Sequence, residues 1–143
     1  MGRKVHPVGF RLNITHPWKA RWFAKGAQYR DQLQQDIAIR SLLMGVTAKG
    51  ASPLLIKVEE LRKSLAESVL TQRAGISNIE IERFPGKVKV SIHTAKPGVL
   101  IGRKGSSVKK IRSSLEDLVG KKVDLDIKEV KSPDTDAHLI AVN

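Results

Sequence analysis

The stretch Lys96-Pro-Gly-Val-Leu-Ile-Gly-Arg-Lys-Gly105 decides how the rest of the chain is read. Pro97 and Gly98 break the preceding segment, and Val99, Leu100 and Ile101 form a short apolar run. Gly102-Arg103-Lys104-Gly105 then places two cationic side chains between two glycines. Glycine permits conformations and close backbone approaches that other residues resist. Ser106 or Ser107 is placed to cap a following helix, whose apolar face is Val108, Ile111, Leu115 and Leu118. Gly120 ends that helix. The loop therefore lies between two helix ends, where free backbone N–H groups can face an anion. Such geometry suits a sugar-phosphate strand and says little about base identity.

Strands flank this unit on both sides. Upstream, Ile79 and Ile81 alternate with Glu80 and Glu82, and Val88, Val90 and Ile92 alternate with Lys89, Ser91 and His93. Phe84-Pro85-Gly86-Lys87 places Pro and Gly in type II turn positions. A two-residue turn sets Glu82 opposite Lys89, Ile81 opposite Val90 and Ile79 opposite Ile92, a self-consistent register. Type II is not the favoured hairpin turn, so another loop length stays open. Downstream, Val123, Leu125 and Ile127 alternate with charged residues and predict a third strand. Ser132-Pro133 then opens a last helix, with Ser132 as its cap.

Further out, Leu33, Ile37, Leu42 and Leu43 predict a helix over 29–43 with these residues on one face. Residues 44–53 read as a loop. Leu54, Val58, Leu61, Leu65 and Val69 predict a second helix from about Pro53 to Ala74, stopped by Gly75. Residues 1–27 have no sustained periodicity and read as an extended arm with a turn near Trp18, Trp22 and Phe23. These aromatics suit either stacking on bases or pinning the arm to the domain.

The 143 residues suit one medium domain or two small ones. The absence of cysteine excludes disulfides and thiolate metal sites. Lys plus Arg number 26 against 14 Asp plus Glu, so the net charge of +12 favours a polyanionic partner. The first 30 residues hold Arg3, Lys4, Arg11, Lys19, Arg21, Lys25 and Arg30 and no acid, the pattern of an arm on phosphate backbone. A membrane partner finds no spanning segment, and no signal or transit pattern opens the chain. Met1-Gly2 lacks the Ser or Thr that myristoylation wants, since His6 stands there.

Lys109, Lys110 and Arg112 lie in the first half of the helix after the loop, and Glu116 and Asp117 in its second half. Both placements oppose the helix dipole, which prefers the reverse by about 0.3–1 kcal/mol per charge. A phosphate strand near the loop explains them; solvated charges of no consequence are the alternative. A nucleotide-binding P-loop needs four residues between its glycines, then Lys and Ser or Thr. Here three intervene, Arg103 interrupts, and Gly105 follows Lys104. His6, His16, His93 and His138 lack ligand spacing, and His93 reads as a solvated strand residue. No acidic pair or nucleophile elbow is placed for catalysis. No enzyme activity, metal or cofactor is expected.

Lys96–Gly105 resembles the KH signature of the bacterial ribosomal small-subunit protein three family. Met1-Gly-Arg-Lys-Val-His-Pro-Val-Gly-Phe-Arg-Leu12 is similar to that family's amino terminus. Asn78–Arg83, Ile92–Thr94, Gly120–Val123 and Asp136-Ala137 fit as well. The resemblance implies an α+β fold: a type II KH domain, its three-stranded sheet packed on helices, preceded by a basic extended arm and helices. It implies an arm over 1–28, the KH domain with its leading helices over 29–131, and the start of a truncated carboxy-terminal region over 132–143. The region near 44–63 looks longer than in typical members, as an insertion. The resemblance implies binding to small-subunit rRNA in the head, near where mRNA enters, with mRNA in the entrance channel and neighbouring small-subunit ribosomal proteins as further contacts. Gly102, Arg103, Lys104 and Gly105 would form the RNA-binding loop, Ile101 its groove, and Lys109, Lys110 and Arg112 its flank. Arg3, Lys4, Arg11, Lys19 and Arg21 would carry the arm's contacts. The expected location is the cytoplasmic ribosome, or an organelle's matrix or stroma if encoded there. A free KH-domain RNA chaperone or ribosome-assembly factor is the alternative.

Overall fold

A computed structural model describes residues 2–45, 53–66 and 74–142. Its sheet carries the β2–β3 hairpin, Ile76–Phe84 and Lys87–Thr94, with Ile79 opposite Ile92, Ile81 opposite Val90 and Glu82 opposite Lys89. The expected register holds, and the turn is the two residues Pro85-Gly86, with Gly86 at φ +82°. That φ is what the third position of a type II turn requires. Strand β4, Lys122–Glu129, lies parallel to β3 and sets Val123 beside Val88, Leu125 beside Val90 and Ile127 beside Ile92. Three apolar rows therefore cross one face of the sheet.

A fourth strand joins the three expected ones. β1, Ala20–Arg21, runs parallel to β2 at the edge, giving the order β1-β2-β3-β4. Two residues hold no periodicity, so only tertiary pairing reveals them. The Ile81 N–H donates to the Lys19 carbonyl at 3.1 Å, and Arg40 donates to the carbonyls of Ile79 (2.8 Å) and Lys19 (3.0 Å). Burial pulls the Arg40 guanidinium below its ordinary pKa, and the Asp36 carboxylate opposes that shift. The arm is also less extended than expected. Pro7–Arg11 forms a short helix, α1, with Pro7 in its first turn and the His6 ring nitrogen accepting from the Gly9 N–H at 3.2 Å.

Helices α2, Gly26–Met44, and α5, Ser106–Val119, cover the apolar rows, and α3, Pro53–Ala66, packs against both. Ile39, Leu42, Leu43, Val58, Ile111 and Leu115 meet Ile79, Ile81, Val90 and Ile92 in one core. Each such side chain contributes about 1.5–3 kcal/mol by leaving water. The expected face of α2 needs correction. Leu42 and Leu43 are buried, but Leu33 and Ile37 are exposed and line a groove of about 520 Å³ with Trp18 and Tyr29. Ala38 and Ile39 take the inward positions instead. Within the region near 44–63, Val58 of α3 is buried in the core. Residues 46–52 of the loop expected over 44–53, and the helix tail at 67–73, lie outside the described residues.

The first sheet row ends in a charge. Arg83 stands in register with Val88 and Val123, so it faces the helices. Its guanidinium pairs with the Asp36 carboxylate of α2, donates to Gln35 Oε1 at 2.9 Å and lies over the Trp22 ring at 5.6 Å. Trp22 Nε1 donates to the other Asp36 oxygen at 2.7 Å. Arm, helix and sheet thus meet at one buried pair, with both side chains 7% exposed.

The chain's last elements also depart from expectation. Pro133–Thr135 makes a 3₁₀ turn, and α6 runs Ala137–Val142. Its cap is Asp136 rather than Ser132. Asp136 Oδ1 accepts from the N–H groups of His138 (2.9 Å) and Leu139 (3.1 Å), and Oδ2 accepts from the Ser77 hydroxyl of β2.

Removing one partner of a buried ion pair costs about 3–5 kcal/mol, because the other charge stays buried. Arg83→Met and Asp36→Leu should each lower urea stability by that order, and the double variant should lose less than their sum. Additive losses would mean that the two groups act independently. The Ser77 hydroxyl, and then the two backbone bonds, hold the Asp136 carboxyl below its ordinary value. A depressed carboxyl pKa stabilises the docked tail above the unfolded value of about 3.9 and is lost as pH falls through the folded value. An NMR titration should place the Asp136 midpoint below ordinary, and Ser77→Ala should raise it; an unmoved midpoint refutes the Ser77 contribution.

Candidate nucleic-acid interface

The loop sits in the crossover between the parallel strands β3 and β4. After β3, Pro97–Ile101 forms the short helix α4, anchored in the core by Leu100. Ile101 and Val99 are exposed beside it. Ile101 therefore offers an apolar surface next to the loop, as a groove residue must.

Gly102 is required twice over. Its φ of +69° and ψ of −179° lie in a region that is essentially glycine's alone. A Cβ there would also sit 2.9 Å from the Ser107 Cβ and collide with the Ser107 hydroxyl. Arg103–Gly105 then makes one 3₁₀ turn, with Lys104 held at φ +54° and Gly105 at +73°. Arg103 and Lys104 are exposed at its tip. Gly105 stands at the N-cap of α5, and no side chain caps that helix. Neither Ser106 nor Ser107 takes the capping role expected of it. Ser107 instead packs under Gly102. The Ser106 N–H donates back to the Arg103 carbonyl, and the first turn of α5 begins beside the loop with no side-chain cap at Gly105.

Lys109 and Lys110 are exposed one turn into α5, about 6–8 Å of rise from Gly105. They extend the loop's positive charge. Arg112 does not: it turns to the sheet and pairs with Asp124 of β4 at 3.6 Å. The arm forms a separate basic element. Arg3 and Lys4 are exposed, and Arg11 donates to the Pro7 carbonyl at 3.1 Å. Lys19 and Arg21 lie at the β1 edge, where Arg21 pairs with Glu82 at 3.6 Å.

The open face of the sheet has a different character. Lys89 pairs with Asp126 at 3.9 Å, and Nε2 of the half-buried His93 lies 3.6 Å from Glu80 Oε1. His93 is thus not the free solvated residue expected. Lys89 turns to Asp126 of β4, although Glu82 is its cross-strand neighbour. This face balances its charges, so anion attraction concentrates at the loop, the arm and the strand ends. At one strand end, sequence reasoning missed a further basic group. Lys87 and Lys122 are register partners, and Lys121 lies beside them. Only the pairing of β3 with β4 brings these distant positions together; the Lys121-Lys122 doublet was the visible signal.

Among the described residues no group of three or more His, Cys, Asp or Glu side chains could hold a metal ion. No described helix is long and apolar enough to cross a membrane.

Residues 60–135 match the KH domain family. Over 99% of its length the chain is 46% identical to small ribosomal subunit protein uS3 of Thermomicrobium roseum, covering 53% of that protein. It is 43% identical to uS3 of Chloroflexus aurantiacus and 45% identical to uS3 of Salinispora arenicola, covering 48% and 40% of them. The chain spans about half the length of these curated relatives. The matched segment contains the glycine loop, both helices around it and the three long strands, and the chain belongs to the KH domain family.

Proposed function

We propose that this protein is a non-enzymatic constituent of the small ribosomal subunit that binds small-subunit rRNA. The observation that carries this reading is the uncapped, glycine-bounded loop with Arg103 and Lys104 at its tip, in a chain 43–46% identical to uS3 proteins. Gly102, Arg103, Lys104 and Gly105 grip the sugar-phosphate strand, Ile101 lines the groove, and Lys109 and Lys110 hold neighbouring phosphates. Arg112 joins them only by leaving Asp124. Arg3, Lys4, Arg11, Lys19 and Arg21 anchor the arm on a second stretch of backbone. Neither element reads base edges, so register comes from shape and charge.

The same reading divides the chain into an arm over 1–28, a KH unit over 29–131 and the beginning of a further region over 132–143. It sets the protein in the head of the subunit near where mRNA enters, among other ribosomal proteins and within reach of mRNA. The relatives' names favour this over a free KH-domain chaperone.

Two measurements test it. On a sucrose gradient the tagged protein should migrate with the small subunit and stay there at moderate salt; migration at the top as free protein would support the chaperone instead. Replacing Arg103 and Lys104 with Asp should weaken RNA binding and flatten its dependence on log salt by about 1.5 units. Exposed loop charges contribute within about 0.5 kcal/mol to stability, so urea unfolding should barely move. An unchanged affinity and salt slope would sink the loop's role.

A further inference from the structure

We propose that the cleft at the hairpin end of the sheet takes one unpaired RNA nucleotide, with its base stacked on Phe23 and Phe84. The proposal rests on the RNA-binding reading and adds a second site to it. The cleft holds about 350 Å³ and is lined by Trp22, Phe23, Gln32, Arg83, Phe84 and Lys121, among others, with no acidic residue. That volume lies at the lower end of the range for small-ligand sites, about 300–1,000 Å³.

Three features point to a nucleotide. Phe23 is 83% exposed and Phe84 45% exposed. Both therefore present aromatic surface to solvent, where it adds little to the core. Each carries a cation over its ring: Lys25 Nζ lies 5.9 Å from the Phe23 centroid and Lys87 Nζ 5.6 Å from that of Phe84. Together with Lys121 these lysines give the aromatic walls a positive rim. None of the three has an ion-pair partner among the described residues. The third feature is the Gln32 side-chain carbonyl oxygen, buried and without a hydrogen-bond partner among the described residues. A buried acceptor is costly to leave unsatisfied, and a turn of the Gln32 amide toward the cleft it lines would offer that oxygen to the exocyclic amine of a base.

The floor of the cleft is fixed. Arg83 is held by Asp36, Gln35 and the Gln32 backbone carbonyl, and Trp22 lies under its guanidinium. Aromatic walls on a rigid floor suit sequence-tolerant stacking. The site is distinct from the glycine loop. The cleft lies at the Phe84–Lys87 end of the hairpin, whereas the loop follows Thr94 at the far end of β3. Eight strand residues separate them by roughly 25 Å.

The test compares the full chain's affinity for a single-stranded RNA and for an abasic RNA of equal length, at fixed salt. Loss of a stacked base by alanine substitution is worth about 5- to 150-fold. F23A/F84A should weaken binding of the base-bearing RNA by at least about tenfold and leave the abasic RNA within about twofold. F23L/F84L, which keeps apolar bulk, should lose the same preference. Replacing Arg103 and Lys104 with Asp should weaken both RNAs alike. If F23A/F84A keeps full affinity or weakens both RNAs equally, or if F23L/F84L binds like the unsubstituted protein, the nucleotide site is wrong. Loss of small-subunit incorporation with RNA affinity intact would also overturn it, by assigning the patch to a protein neighbour. If the unsubstituted protein binds neither RNA, the RNA-binding reading itself falls, and this site with it.

Discussion

The buried pair between Asp36 and Arg83 decides how three parts of the molecule fit. An arginine on the helix-covered face of a sheet would be untenable alone, because an unpaired charge there costs several kcal/mol. Asp36 therefore has to face it, and that fixes the rotation of α2 on the sheet. With Asp36 inward, Ala38, Ile39, Leu42 and Leu43 follow it into the core, and Leu33 and Ile37 are left outside. The second Asp36 oxygen takes the Trp22 indole N–H, so the same carboxylate also ties down the arm. From that anchor the chain reaches back to β1 and to Lys19 just before it, whose carbonyl is held by both Ile81 and Arg40.

Charge is sorted around this frame by location. On the open sheet face Arg21 meets Glu82 and Lys89 meets Asp126, so these charges offset one another at short range. The excess of cations lies on segments that protrude: the arm, the loop tip, the first turn of α5 and the hairpin end. A polyanion approaching the protein meets these first, at distances where screening is still incomplete. The adverse ordering of charges along α5 makes sense in part. Arg112 and Glu116 are employed by β4, through Asp124 and through the Val123 N–H at 3.2 Å, whereas Lys109 and Lys110 have no such partner among the described residues.

Much of this was legible in the sequence wherever a short-range rule applied. The hairpin register followed from alternation across Pro85-Gly86, and the buried face of α5 followed from Ile111, Leu115 and Leu118. The glycine loop was legible because Gly102 and Gly105 stand at positive φ values that favour glycine, whereas the positive φ of Lys104 had no signal in its residue type. What stayed hidden depended on tertiary partners. The burial of Arg83 and Asp36 contradicts their residue types and becomes sensible only as a pair. β1 exists only through Lys19, Ala20 and Arg21 meeting β2. Asp136 caps the last helix because that helix starts at Ala137, after a separate 3₁₀ turn, and its other oxygen takes the Ser77 hydroxyl of a distant strand. The cationic cluster of Lys87, Lys121 and Lys122 required the parallel register of β3 and β4.

That parallel register has a consequence for the order in which the molecule can be made. The hairpin can form as soon as Thr94 has been synthesised, because its contacts are local. The β3–β4 ladder cannot, because the whole of α4, the loop and α5 must be translated before Lys122 exists to pair with Lys87. Until then one side of β3 is an unpaired edge, the kind of surface that seeks other chains. Non-local pairings of this kind slow folding, since chain closure precedes any gain from contact. The glycine loop is the segment that this closure must fold back. Its shape is therefore acquired only once β4 has been made and paired with β3.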